Sequence, residues 1–131
     1  MEFRSEEVDR EFGYIEDVGL NAMRVFLHMY PFENNKIAFL DNLERYLNIA
    51  DKHGIRTIFV FFDYCWYGDD RVFTFESIRG RHNGRWAKCS LTKDRIVDNY
   101  PRFRAYIQEI IGQYKDDDRI LAWEIWNEPK N

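Results

Sequence analysis

The chain has 131 residues, 45% hydrophobic and 32% charged, which suits one globular domain and excludes a disordered or membrane-dominated composition. Its net charge of -4 is spread along the chain apart from the short Asp116-Asp117-Asp118 run. With no Lys/Arg block or basic helix face, a strong DNA or RNA footprint is excluded, and the longest apolar run, Ile58 to Phe62, falls far short of a membrane span.

The first predicted element is a helix over about Glu6 to Val18, with Val8, Phe12 and Ile15 at helical spacing and Gly19 ending it. A strand follows over about Asn21 to Leu27. The second helix spans about Asn35 to Lys52, with an apolar stripe of Ile37, Leu40, Leu43, Leu47 and Ala50 and a terminating Gly54. The next strand, Ile55 to Asp63, carries a continuous apolar run, as expected where helices cover a parallel sheet. Residues 64–95 read as a long loop rich in aromatics, Gly and Arg, and loops of that length usually carry function. Pro101 suits the first turn of a third helix begun near Asn99, whose buried stripe is Phe103, Ile107, Ile110 and Tyr114. The last strand, Ile120 to Trp126, is apolar except at Glu124.

Strands alternating with amphipathic helices predict an α/β fold with a parallel sheet. Periodicity alone leaves a barrel arc and a small doubly wound, flavodoxin-like domain both open. The start of the chain is charged and has no apolar core of a signal peptide; it reads as an internal cut, so the compartment stays undecided. Cys65 and Cys89 are reduced thiols or one loop disulfide.

Polar residues gather at the C-terminal ends of the strands, where parallel α/β folds place their chemistry. Arg24 sits inside an apolar strand and needs a carboxylate partner, for which Glu124 is the better reading than a reacting group. His28 is a sugar-hydroxyl partner or a satisfied structural residue, and Asp63 a hydrogen-bond acceptor of a pocket or a turn cap. Glu128, held extended by Pro129, is a candidate proton donor or a surface residue at a turn. Asn127 can serve the same pocket as Glu128 only if the strand curls at its end; otherwise it caps a turn. Tyr64, Trp66, Tyr67 and Trp86 offer flat rings on which sugars stack, Trp66 first and Trp86 second. His28, His53 and His82 give no metal spacing, and no phosphate loop or serine elbow is present, so no cofactor is expected.

The run Leu121-Ala122-Trp123-Glu124-Ile125-Trp126-Asn127-Glu128-Pro129 resembles the fourth-strand signature of clan A glycoside hydrolases, most closely family 5, the cellulase and mannanase group. Asn21-Ala22-Met23-Arg24-Val25 resembles the second strand of that family. Ala50 to Ile55, with Phe61-Phe62-Asp63-Tyr64-Cys65-Trp66, resembles the third. The resemblance implies an incomplete (β/α)8 TIM barrel, about strands two to four with their helices, over residues 1–131. A closed barrel of this kind usually needs about 250 residues. The implied reaction is retaining hydrolysis of a β-linked oligo- or polysaccharide, with Glu128 as acid/base, Asn127 beside the sugar 2-hydroxyl and Arg24 holding the nucleophile. That nucleophile belongs to the seventh strand of the family, so none is assigned here, and the remainder of the barrel is expected to complete the site. A non-enzymatic carbohydrate-binding or complementing half-barrel is the alternative. No nucleic-acid or membrane partner is expected.

Overall fold

The computed structural model describes residues 3–63 and 93–128. Tyr64, Trp66, Tyr67, Trp86, Cys65, Cys89 and Pro129 lie outside the described residues. The elements run α1 (Ser5–Asp17), β1 (Ala22–Phe26), α2 (Met29–Asn34), α3 (Lys36–Lys52), β2 (Arg56–Asp63), α4 (Lys93–Tyr114) and β3 (Ile120–Asn127). The strands form one parallel sheet in the order β1-β2-β3, with Arg24 opposite Ile58 and Val60 opposite Glu124.

Two glycines terminate the helices as the sequence requires. Gly19 (φ 77) and Gly54 (φ 67) adopt the left-handed conformation that side chains resist. Each lets the two following-turn amides fold back: Gly19 N and Leu20 N reach Glu16 O and Ile15 O, and Gly54 N and Ile55 N reach Asp51 O and Ala50 O. The chain then enters the next strand directly, which aligns β1 and β2 in parallel.

The core lies between one face of the sheet and the helices. Leu47, Phe59, Phe61, Tyr106 and Ile110 are all essentially inaccessible and share one cluster with Leu43, Phe103 and Tyr114. Full burial of a ring such as Phe59 contributes about 2–3 kcal/mol. A second cluster joins Phe12 of α1 to Ala50 and Ile55, with Met23 of β1 packed against it. Met23 and Phe59 share strand parity through the register, so α1, α3 and α4 cover the same face. Among the described residues no helix covers the opposite face, where Ala22, Arg24 and Ala122 are exposed. This one-sided layering suits an arc of a barrel and disfavours the doubly wound reading, which needs helices on both faces.

The structure departs from the sequence expectations in four places. A short helix, α2, follows β1: His28 caps it, its Nδ1 accepting from Tyr30 N at 3.1 Å. Six residues carry no periodic stripe, so nothing announced it. Helix α4 begins at Lys93, and Pro101 lies inside it instead of in its first turn. Proline deprives the Val97 carbonyl of a helical partner, but Val97 is 75% exposed and water can serve that oxygen. Ile37 is 82% exposed and lies outside the buried stripe of α3, where Phe39 packs on the core instead, while Tyr106, absent from the expected stripe of α4, is one of its most buried residues. The fourth departure, at Glu128, concerns the site.

Polar ties fix the outer layer. Arg119, just before β3, donates to Glu44 and Asn48 of α3, both at 2.8 Å, and to Asp117. Arg102 of α4 grips Glu33 of α2, and Lys36 meets Glu109 at 2.6 Å. His53, at the end of α3, lies between two carboxylates of α1, with Glu16 2.7 Å from Nδ1 and Asp9 2.8 Å from Nε2; Lys52 also meets Asp9 at 2.8 Å.

Glu16, and after it Asp9, raises the His53 pKa above 6.5, while Lys52 and then His53 lower that of Asp9 below 3.8. A raised imidazole pKa contributes stability that is complete below the unfolded value of about 6.5 and fades as pH rises through the folded value. The lowered carboxylate pKa contributes above the unfolded value and fades as pH falls through the folded one. His53→Gln is therefore expected to melt below the parent near pH 5 and to converge with it near pH 9, as followed by thermal denaturation. A difference in melting temperature that stays constant across this range would contradict the clamp.

The Tyr106 hydroxyl is buried with no hydrogen-bond partner among the described residues, and burial pushes its pKa far upward. A lone buried hydroxyl costs about 1–3 kcal/mol. Tyr106→Phe is expected to unfold at equal or higher urea than the parent, gaining up to about 1 kcal/mol. A clear loss of stability would mean that the hydroxyl has a partner.

Candidate active site

On the exposed face of the sheet Arg24 stands in the middle of β1. It shares strand parity with Phe26, whose ring lies 4.9 Å from the guanidinium carbon, and the register brings it across β2 toward β3. Arg24 Nε donates to both carboxylate oxygens of Glu124, at 3.2 and 3.0 Å, and Nη2 also bonds Glu124. Nη2 donates a further bond to Asn127 Oδ1 at 2.9 Å. Asn127 Nδ2 in turn donates to Asp63 Oδ1 at 2.8 Å. One continuous hydrogen-bonded chain thus links all three strands: Glu124, Arg24, Asn127, Asp63.

Strict alternation would forbid this arrangement. Glu124 and Asn127 are three residues apart and should face opposite sides of β3. They meet the same guanidinium because both strands curl at their ends. Phe61 and Phe62 both enter the helix-side core: Phe61 stacks on Trp123 with centroids 5.5 Å apart, and Phe62 packs on Phe103 at 4.8 Å and on Trp126 at 4.9 Å. Two consecutive side chains on one side return Asp63 and Asn127, which lie opposite each other in register, to the side of Arg24. The curl required for Asn127 to join a pocket is present.

The electrostatics follow from this geometry. Arg24 holds the Glu124 carboxyl below the usual carboxylate range, and Glu124 raises the guanidinium pKa, with smaller contributions from Asp63 and Glu128. Side chains of Arg24 and Glu124 are each 40% exposed, so water screens the pair and its contribution to stability is small. Its bidentate geometry sets orientation instead. Asp63 differs, being only 4% exposed.

Glu128 follows Asn127 directly and is exposed. Its backbone is not extended as the following proline implies: φ is 50, in the left-handed region. The backbone leaves the strand conformation here against the local preference of a residue before proline, a departure that costs about 1–3 kcal/mol and is often found at functional sites. His28 lies at the end of β1, half-buried, where desolvation lowers its pKa to about 4. With Nδ1 accepting from a backbone N–H, the neutral ring carries its proton on Nε2. That capping bond gives His28 a structural duty. Phe26, beneath Arg24, was not among the expected site residues; its shared parity with Arg24 was the available signal.

Arg24 thus reaches from the middle of β1, with Glu124, to Asn127 and Asp63 at the C-terminal ends of β3 and β2, and Glu128 follows Asn127 in the chain. Tyr64, Trp66 and Trp86 fall outside the described residues.

No protein-family model matches the chain. Among curated proteins it is similar to a probable mannan endo-1,4-beta-mannosidase A of Aspergillus oryzae, 28% identical over 96% of this chain and 36% of the relative. It is also similar to a probable mannan endo-1,4-beta-mannosidase F of Aspergillus flavus, 23% identical over 95% of the chain and 30% of the relative. A mannan endo-1,4-beta-mannosidase F of Aspergillus clavatus is 31% identical over 70% of the chain and 19% of the relative. The chain is therefore related to glycoside hydrolases named for a β-linked glycan, and it spans about a third or less of the length of these relatives.

Arg24→Met leaves Glu124 ionised on the sheet without its guanidinium. The lowered Glu124 pKa means that the pair contributes above the unfolded carboxylate pKa and is lost as pH falls through the folded value. The melting temperature of Arg24→Met is expected to lie below that of the parent at about pH 7 and to approach it at about pH 3. An equal deficit at both values would show that the loss is one of packing alone.

Proposed function

We propose that this chain is the portion of a (β/α)8 glycoside hydrolase around its second to fourth strands, and that Glu128 is the general acid/base of a retaining cleavage of a β-linked glycan. The observation that carries the reading is the Glu124–Arg24–Asn127–Asp63 network at the C-terminal ends of three parallel strands, with Glu128 next in the chain. Sequence similarity to proteins named for endo-acting mannan cleavage supports a mannan-type or related β-glycan as substrate.

In this reading the Glu128 carboxylic acid protonates the departing glycosidic oxygen. It then takes a proton from the water that releases the sugar. Asn127 donates to a hydroxyl of the sugar beside the scissile bond. A second carboxylate must attack the anomeric carbon from about 5–5.5 Å away. Asp63 and Glu124 are each committed inside the network, so neither takes that role. Arg24 Nη1, which makes no hydrogen bond among the described residues, supplies donors that fit the second carboxylate. In the family that the sequence resembles the nucleophile stands on the seventh strand, so this reading takes it from the remainder of the barrel.

The test uses a longer protein that contains this sequence, assayed on mannan, glucan and xylan. Glu128→Gln is expected to lower kcat by about 10²–10⁴ while oligosaccharide binding persists. Undiminished cleavage in Glu128→Gln would remove the assignment. Cleavage by the 131-residue chain alone would place the second carboxylate within it.

A further inference from the structure

Asp63 is a carboxylate almost fully withdrawn from water, and the cleavage reading gives it no reacting part. Its bond to Asn127 joins residues directly opposed in the β2–β3 register. An asparagine amide fits one space in two ways, with oxygen and nitrogen exchanged. Here each end meets a group of fixed sense. An ionised carboxylate only accepts, and a guanidinium only donates. The observed orientation presents Nδ2 to Asp63 and Oδ1 to Arg24. The reversed one would set oxygen against oxygen on one side and N–H against N–H on the other. Arg24 cannot swing away to relieve this, because Glu124 holds its Nε and Nη2.

We infer that Asp63 is a positioning residue that, together with Arg24, locks the Asn127 amide as a one-way N–H donor toward an acceptor oxygen of the ligand. One Nδ2 hydrogen is used by Asp63. The second is taken by no described residue and belongs to the side chain that immediately precedes Glu128. The identity of the acceptor, a glycan hydroxyl, rests on the proposed function; the lock itself does not. Among the described residues the charged groups facing the lock include Arg24, Glu124 and Glu128.

The experiment is side-chain NMR on the 131-residue chain with ¹⁵N-labelled asparagine and ¹³C-labelled aspartate. In the parent, the Asn127 side-chain amide signals are expected to shift in a single step that coincides with titration of the Asp63 carboxyl carbon. Glu124→Gln should leave that step in place, which separates it from titration relayed through Arg24. In Asp63→Asn, a change of equal volume, the step should vanish and Asn127 amide hydrogen exchange should quicken by about tenfold or more. An Asn127 signal indifferent to Asp63 titration in the parent overturns the lock, whether or not the variant folds. Mannohexaose is then added to a longer protein that contains this sequence, as the parent and as Asp63→Asn. Perturbation of Asn127 in the parent, with binding about tenfold weaker in the variant, supports the donor role. If the lock is seen but mannohexaose and matching glucan and xylan oligomers leave Asn127 unmoved, the lock stands and the glycan reading falls.

Discussion

A single guanidinium on the open face of the sheet organises everything near it. Arg24 is the only cation in a stretch of β1 that is otherwise apolar, and its bonds to Glu124 and Asn127 reach over β2 to β3. The pair with Glu124 is too exposed to contribute much stability. What it contributes is direction. A planar fork bonded on two nitrogens cannot rotate, so the next bond in the chain, to Asn127, has one geometry. The contrast with Arg119 is instructive. That residue lies before β3, at the opposite end of the strand, and its bonds to Asp117, Glu44 and Asn48 knit the sheet to α3. One arginine fastens the fold and the other arranges the site, in keeping with the division of labour between the two ends of parallel strands.

The helix-covered face and the open face are not independent. The open face needs Asp63 and Asn127 to join Arg24, and simple alternation denies this. The helix face resolves the conflict by taking two consecutive phenylalanines. Phe61 and Phe62 find rings to pack against in Trp123, Tyr106, Phe103 and Trp126. The high aromatic content of the chain, 18% of its residues, has a structural use here: large rings fill the wedge that opens where the strands curl.

Much of this was legible in the residues. The apolar periodicities placed the three long helices and the strands, and Gly19 and Gly54 marked where helices stop, because few other residues accept their φ. A charged residue inside an apolar strand demanded a partner, and Glu124 was the right one. What escaped had no local signal. Helix α2 is too short for a stripe, and its cap is a histidine, which is not among the common capping types. The continuation of α4 upstream of Pro101 depends on solvent reaching the Val97 carbonyl, a tertiary circumstance. The bond between Asp63 and Asn127 spans 64 positions and depends on a register that periodicity alone does not fix. The turned backbone at Glu128 opposed the strongest local rule available, the preference of a residue before proline.

The curl also means that no cushion separates the candidate site from the core. Trp126 packs on Phe62 and Phe103 from below, and the next residue in the chain carries the amide that Arg24 and Asp63 grip. Close-packed interiors transmit displacement instead of absorbing it. The volume of the Phe62–Phe103–Trp126 triad is therefore a geometric dial for the site. Substitutions in that triad, including one on a helix that contributes no polar group to the network, would tilt the strand end and move Asn127 and Glu128 together. The residues that tune the chemistry of such a sheet extend to those that only fill space beneath it.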